Sequence, residues 1–592
     1  MSAPPRPPPA SGIAPPDARW AEAPPADRRV VDRLSDGLHL PRALCAVLAA
    51  RGHTDVEDAK RFLRPQLDQL ADPALLVDGE VAAERIARAL KGGERMLVHG
   101  DYDVDGICAA ALYTRFLRAQ GGDVVPFAPH RLRDGYDFSE AGLRAAQEAG
   151  ANLIVTADCG TVAHDTVRRA RTAGIDVVVS DHHTVADTLP DAIALVNPQR
   201  PDCAYPEKEL CGTAVAYKLC NLVARRLGAD TAFLDALLDL VALATVADLV
   251  PLRGENRVLV HQGLRRFAHT RVAGVRALLG VVGLDGGAVD AGHLGFVLAP
   301  RINAAGRIGE SMDALRLLLT EDPAEAERLA RAVDAINEAR QEEDRRTLAE
   351  ALELLEADYD PERDYGVVLA AEGWHPGVIG IVASRVVERI HRPVVLVALN
   401  GGQGRGSARS IPGFHLYEAL AACRSHLGRF GGHRQAAGMD VARDAVPALR
   451  ASFNAEARRR LQGEDLRPVL KPDLELSLAD ADLELIHWLE YLGPHGIGNP
   501  RPVFLAGDVT LEGARLVGED HLKVSLRSGP TSLDGIGFGL AARHPPAALG
   551  GMRYDVLLKL ERNEWRGVTR PQARLLDLRP ARPPSDDERR AP

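Results

Sequence analysis

Cysteine pairs, aromatic residues, net positive charge and long apolar runs are all scarce in this 592-residue chain. Seven cysteines occur, at positions 45, 108, 159, 203, 211, 220 and 423, and no two have the Cys-x-x-Cys spacing. That excludes a disulfide framework and the common zinc ribbons and fingers. The spacing of Cys203, Cys211 and Cys220 fits no common zinc pattern either. All seven read as buried, reduced thiols of a cytoplasmic protein. Aromatic residues are only 4% of the chain, while Ala, Arg, Gly and Leu are abundant, the composition of a high-GC genome. The formal net charge is −10, which excludes a bulk basic surface. A polyanion must be met by a local basic groove, or by metal ions that invert the sign of an acidic pocket. No apolar run reaches membrane-spanning length. The opening segment MSAPPRPPPASGIAPPDARW lacks the apolar stretch of a signal peptide, and no membrane contact is expected.

A normal globular balance is present, 46% hydrophobic and 26% charged, over a length that needs three or four domains. Residues 1–28 read as a disordered Pro-rich tail and 29–75 as a helical segment without assigned chemistry. From residue 76 to 320, short apolar strands alternate with helical stretches. Strands are expected at Met96–Val98, 123–127, 152–156, 175–180 and 192–197, with helices at 107–120, 212–228 and 231–247. This is the pattern of a mainly parallel α/β sheet. Pro300 to Arg307, PRINAAGR, reads as a small-residue loop. Residues 321–358 read as one long connecting helix with a solvated charged face. Residues 359–466 form a second α/β domain, in which 404–410 and 424–434 are expected as Gly-rich basic loops. Residues 467–580 turn β-like and fit a small OB-type barrel. Its candidate stacking aromatics are Trp488, Tyr491, Phe504, Phe538 and Trp565. Residues 581–592 read as a second disordered tail. The fold class is α/β: two α/β domains joined by a long helix, plus the barrel.

Chemistry concentrates where the first domain's strands end. Three carboxylates alternate along Asp101, Asp103 and Asp105. At an effective dielectric of ~20, two such charges 4 Å apart cost about 4 kcal/mol. Cations at this strand end would offset that. A surface Asp cluster is the alternative; an EF-hand is not, because no Glu closes the loop. Asp158, before Gly160, reads as a bridging carboxylate or as a helix cap. Asp181-His182-His183 follows another strand, and adjacent side chains in an extended segment diverge. One imidazole could bind metal while the other meets a phosphate. Buried, hydrogen-bonded histidines are the alternative. Asp248 closes a helix before Pro251. In parallel sheets ligands sit outside the strands' carboxyl ends, so these segments converge. Oxygen and imidazole donors without a thiolate pair suit Mn²⁺ or Mg²⁺ better than structural zinc. Two such ions would make a phosphodiester-cleaving site.

The segment His99–Gly106, with Asp158, Asp181-His182-His183 and Asp248, resembles the four motifs of the DHH phosphoesterase superfamily. Gly431–Gly438 looks like its DHHA1 signature. The form HGDYDVDG, the segment PRINAAGR, Trp374–Gly380 and the terminal barrel together resemble the superfamily's bacterial single-strand-specific exonucleases. The resemblance implies two divalent ions, Mn²⁺ or Mg²⁺. His99, Asp103 and Asp158 would hold one; Asp105, Asp158, His182 and Asp248 would hold the other. His183 would face the scissile phosphate, and Asp101 would support the ligands and orient water. Arg131, Arg307, Ser407 and Arg409 would receive the 5′ end, with Gly431, Gly432 and His433 along the strand's path. The implied activity is 5′-to-3′ hydrolysis of single-stranded DNA to 5′-mononucleotides, in repair and recombination. The implied partners are single-stranded DNA with a 5′ end, single-strand-binding protein and a helicase, with the enzyme a monomer. The chain reads as stopping after the barrel, so contacts made through any further C-terminal domain are not expected. Two alternatives stand: a small-substrate DHH phosphodiesterase of the oligoribonuclease or cyclic-dinucleotide type, and a non-catalytic DNA-binding scaffold.

Overall fold

The computed structural model describes residues 16–131, 133–135 and 137–581. Most of the two tails expected to be disordered, 1–15 and 582–592, lies outside the described residues. The described residues form two compact units: 20–129, 137–299 and 471–581 in one, and 16–19, 130–131, 133–135 and 300–470 in the other.

The first unit is built on a parallel sheet: β1 (Arg95–Gly100), β2 (Asp123–Phe127), β3 (Leu153–Ala157), β4 (Asp176–Ser180) and β5 (Ala194–Val196), in the order β2-β1-β3-β4-β5. Helix α1 (Val104–Ala119) follows β1, and α2 (Gly212–Leu227) and α3 (Leu238–Ala247) follow the sheet. The strands are nearly continuous apolar runs because helices cover both faces. The helix expected over 231–247 is two: Ala232–Asp235, then α3.

A second core of this unit joins the N-terminal helices, Arg28–Leu38, Arg42–Ala50 and Val56–Leu63, to the barrel. Leu34, Leu44 and Leu48 share one apolar cluster with Phe504, Leu522 and Val556. This gives the 29–75 segment a structural task that its sequence did not reveal. A short helix, Leu483–Leu489, precedes the barrel, where only β texture was expected.

In the other unit, PRINAAGR is helix rather than loop: α4 spans Ala299–Ile308. Pro300 lies inside a continuous helical run, directly after a π-helical turn, Leu294–Leu298, a local widening that accommodates a residue with no N–H to donate. Ile302, Ala304 and Ala305 are fully buried. Helix α5 (Pro323–Asp358) has 36 residues, about 54 Å at 1.5 Å per residue. Its charges were expected to be solvated, but Arg340 and Asp344 are buried, with Arg385 2.9 Å from Asp344. The sheet of this unit contains β6 (Val367–Glu372), β7 (Val394–Asn400), β8 (Gln403–Arg409), β9 (Phe430–Gly432) and β10 (Ala436–Ala442), in the order β9-β10-β8-β7-β6, with α6 (Ile379–Ile390) between β6 and β7. The Gly-rich run 404–410 is therefore mostly strand, not loop. Its glycines make room for neighbours: a Cβ on Gly404 would lie 2.6 Å from Val397, and one on Gly406 2.6 Å from Met439.

Back in the first unit, the barrel has five strands: β11 (Phe504–Val517), β12 (His521–Ser528), β13 (Thr531–Gly537), β14 (Arg553–Trp565) and β15 (Val568–Pro580). It closes because β14 pairs with both β15 and β11. Trp20, in the tail expected to be disordered, donates from Nε1 to Asp577 at 2.9 Å under the Arg579 guanidinium. Phe504 is fully buried core and no platform; Tyr491, Phe538 and Trp565 are exposed.

Candidate metal centre

The site assembles at the carboxyl ends of β1, β3 and β4. Asp101 leaves β1, and Asp103 then caps α1, its side chain accepting from Asp105 N–H and Gly106 N–H at 3.0 and 3.2 Å. Gly106 is required by space, not by turn freedom: a Cβ there would lie 2.3 Å from Asp101 N. Asp105 is gripped by the N-terminus of α2. It accepts from Gly212 N–H at 2.6 Å, Thr213 N–H at 2.7 Å and Thr213 Oγ1–H at 2.6 Å. A helix N-terminus is where a carboxylate is stabilised.

After β3, Asp158 takes a left-handed conformation, φ 67°, rare for a non-glycine residue. Gly160 (φ 110°) completes the turn, and Asp137 Oδ1 accepts its N–H at 2.6 Å. After β4, Asp181 organises the histidines. It accepts from His182 N–H at 2.7 Å and Thr161 N–H at 2.9 Å, and pairs with His183 Nδ1 at 2.7 Å. His182 Nε2 then lies 3.0 Å from Asp158 Oδ1 and 3.7 Å from both Asp105 Oδ2 and Asp248 Oδ2.

Three overlapping groups of donors result: Asp158, His182 and His183; Asp105, His182 and Asp248; and Asp101, Asp103 and Asp158, each with ligand atoms within 4.8 Å of one another. His99 enters none of them. Its ring lies 5.2 Å from both Phe127 and Phe138, with Nδ1 3.5 Å from Cys159 Sγ.

Burial and mutual repulsion shape the electrostatics. Desolvation first, then neighbouring carboxylates, push Asp101, Asp158 and Asp248 well above the usual carboxylate range. Burial lowers His182. Burial would also lower His183, but the Asp181 hydrogen bond and charge outweigh it and hold it at about 9. The buried atoms Asp101 Oδ1, Asp158 Oδ1 and His182 Nε2 make no hydrogen bond. Polar atoms buried without partners are costly. Here they are hard oxygen and imidazole donors pointing at one another, which fits divalent Mn²⁺ or Mg²⁺.

The 5′-end candidates gather in the other unit. Arg409 on β8 donates to Ala408 O at 2.8 Å, and a Cβ on Gly380 would lie 2.9 Å from both Arg409 Nη2 and Ser407 Oγ. Burial first, then the Arg131 charge, lowers Arg409. Arg307 on α4 reaches Gly377 O at 3.5 Å. Arg307, Ser407 and Arg409 thus border the Trp374–Gly380 segment and the start of α6, and the Arg131 charge acts on both Arg409 and His375. Gly431 pairs with Gly438, which pairs with Ser407, so the DHHA1-like glycines continue the same row. Gly432 and His433 are exposed at the β9–β10 turn. Asp137, Gly212 and Thr213 were not anticipated as site residues. Only Gly212-Thr213, opening a helix, carried a readable signal.

A parallel α/β sheet with this carboxylate–histidine cluster at its strand ends defines a metal-dependent phosphoesterase of the DHH class. Residues 95–245 match the DHH family N-terminal domain, 364–459 the DHHA1 domain and 472–577 the RecJ OB domain. The chain is 37% identical over 563 residues to the single-stranded-DNA-specific exonuclease RecJ of Bacillus subtilis (strain 168), covering 94% of this chain and 70% of that one. The crystal structure of Thermus thermophilus RecJ with Mn²⁺ matches with a TM-score of 0.81 at 34% identity, over 96% of this chain and 80% of that one. The structure of the same protein with Mg²⁺ matches with a TM-score of 0.75 at 31% identity, over 96% and 78%. The chain belongs to the RecJ family of single-stranded-DNA-specific exonucleases.

Proposed function

We propose that this chain digests single-stranded DNA from the 5′ end to 5′-mononucleotides, in DNA repair and recombination. The observation that carries this is the unbonded, buried trio Asp101 Oδ1, Asp158 Oδ1 and His182 Nε2 within a family of exonucleases. His99, Asp103 and Asp158 would hold one divalent ion in this reading. Asp105, Asp158, His182 and Asp248 would hold the second. His99 is assigned by its place at the end of β1 alone.

The chemistry the ions supply when bound is Lewis-acid polarisation of the phosphodiester and a lowered pKa for water. The protein's own groups do the rest. His183, protonated through Asp181, donates to a phosphate oxygen and offsets charge that grows in the transition state. Asp101, with one free acceptor atom, orients the water and takes up its proton. Arg131, Arg307, Ser407 and Arg409 bind the terminal phosphate beside the α6 N-terminus, where backbone N–H groups favour an anion. Gly431, Gly432 and His433 line the path of the strand. Tyr491, Phe538 and Trp565 on the barrel unit provide stacking surfaces.

Among the described residues no helix is long and apolar enough to cross a membrane. Seven buried thiols support a reducing compartment, and we place the enzyme in the cytoplasm as a monomer. Single-strand-binding protein and a helicase are its proposed partners. Product analysis tests the reading. With Mn²⁺, a long single strand should be consumed to 5′-mononucleotides. Faster cutting of a dinucleotide, with long DNA spared, would contradict it.

A further inference from the structure

Ions held by the three donor clusters would account for phosphate binding but for no contact with a base. Beside them lies an apolar feature without a structural use. Phe296, 86% exposed, is the most exposed large apolar side chain among the described residues. It sits in a single π-helical turn, Leu294–Leu298, a distortion that often marks functional positions. That turn packs on α3: a Cβ on Gly295 would lie 3.3 Å from Val246 Cγ1. Two residues beyond Val246 comes the ligand candidate Asp248. The next residue, Leu249, is 66% exposed and held at φ 60°. A leucine there is both strained and wet, where glycine or asparagine would relieve both costs. Single exposed apolar residues need no explanation. Two of the most exposed in the molecule, on packed neighbouring elements flanking a ligand candidate, do.

We propose that Phe296, with Leu249, is the platform on which the base adjoining the scissile phosphodiester stacks. This rests on the exonuclease reading above. Ions held by the cluster would bind the phosphate, and the part of a nucleotide that offers an apolar face next to it is the base. Every base has such a face, so the contact is indifferent to sequence. A base stacked on Phe296 has left its neighbours, so a duplex must first melt its end. The platform thus adds to single-strand selectivity as a specificity-determining contact.

The test uses the full chain, with Ca²⁺ in place of Mn²⁺ so that ions occupy the cluster, and a fluorescent single-stranded oligonucleotide checked to be intact after the measurement. Phe296→Ala should weaken binding about tenfold, within the range for loss of one base–aromatic stack. Phe296→Trp should restore it. Removing the bases of the terminal nucleotides should weaken the wild type to the level of Phe296→Ala and cost that variant nothing further. Phe296 is exposed, so an unchanged thermal midpoint should accompany the loss. Equal binding by wild type and Phe296→Ala, or a loss that persists on the abasic strand, overturns the platform. So does a Phe296→Ala effect confined to self-association. A wild type that cuts single strands normally while Phe296→Ala binds like it overturns this inference alone. A wild type that neither binds nor cuts them overturns the exonuclease reading with it.

Discussion

At the scale of single residues, the account turns on Asp158 and what crowds it. Its φ of 67° aims the carboxylate at His182 Nε2, and Gly212 is pressed against it. A Cβ on Gly212 would lie 2.5 Å from Asp158 Cβ. Gly212→Ala should therefore shift Asp158 and lower kcat about a hundredfold, since a displacement near 1 Å in a catalytic group costs on that order. Binding of single-stranded DNA under chelator should hold. A near-normal kcat, measured by steady-state kinetics, would show that the turn tolerates the methyl. Arg409 makes a separable prediction. Arg409→Ala should reduce the preference for a 5′-phosphorylated over a 5′-hydroxyl strand about tenfold, the worth of one hydrogen bond to a charged group. Competition between the two strands measures it, and an unchanged preference removes Arg409 from the pocket.

At the scale of elements, strand ends were the readable part of the sequence. Met96–Val98 and the apolar runs before Asp158 and Asp181 announced strands, and parallel-sheet logic sent their carboxylates to one edge. The 36-residue helix was legible for a similar reason, an unbroken helical charge pattern. Glycine and proline misled. They made loops of α4 and β8, where the structure carries Pro300 inside a helical run just after a π-helical turn and uses Gly404 and Gly406 as space for Val397 and Met439. Gly212-Thr213 was readable as a helix start, but that it grips Asp105, and that Asp137 holds Gly160, was invisible because each joins segments apart in sequence. So was the shared core of N-terminal helices and barrel. That junction carries a pH prediction. Burial first, then Arg501, Arg51 and Arg257, lowers His495 to about 3. Unfolded, it titrates near 6.5. The unfolded chain therefore binds the extra proton between those values, and stability from neutral His495 is full above about pH 6.5 and lost as pH falls. His495→Gln removes this slope. The thermal-midpoint difference between wild type and variant should shift in the variant's favour from neutrality to about pH 5; a constant difference would contradict the assignment.

At the scale of the molecule, a chain of net charge −10 handles a polyanion by gathering charge locally rather than by being basic overall. Six carboxylates, Asp101, Asp103, Asp105, Asp158, Asp181 and Asp248, converge on two histidines at one sheet edge. Such a cluster repels itself, and divalent cations that bind only the folded chain stabilise it by mass action. Mn²⁺ should raise the thermal midpoint of the wild type by a few degrees and that of Asp158→Ala by less, read by calorimetry; equal shifts would place the ions elsewhere. The central claim is that this cluster cuts single-stranded DNA from its 5′ end. The most direct measurement incubates the chain with Mn²⁺ and a single strand labelled at its 3′ end, beside a blunt duplex and the Asp158→Ala variant. The account predicts a ladder shortening from the 5′ end on the single strand alone, absent with the variant. An intact single strand, or a variant that cuts as fast as the wild type, would contradict it.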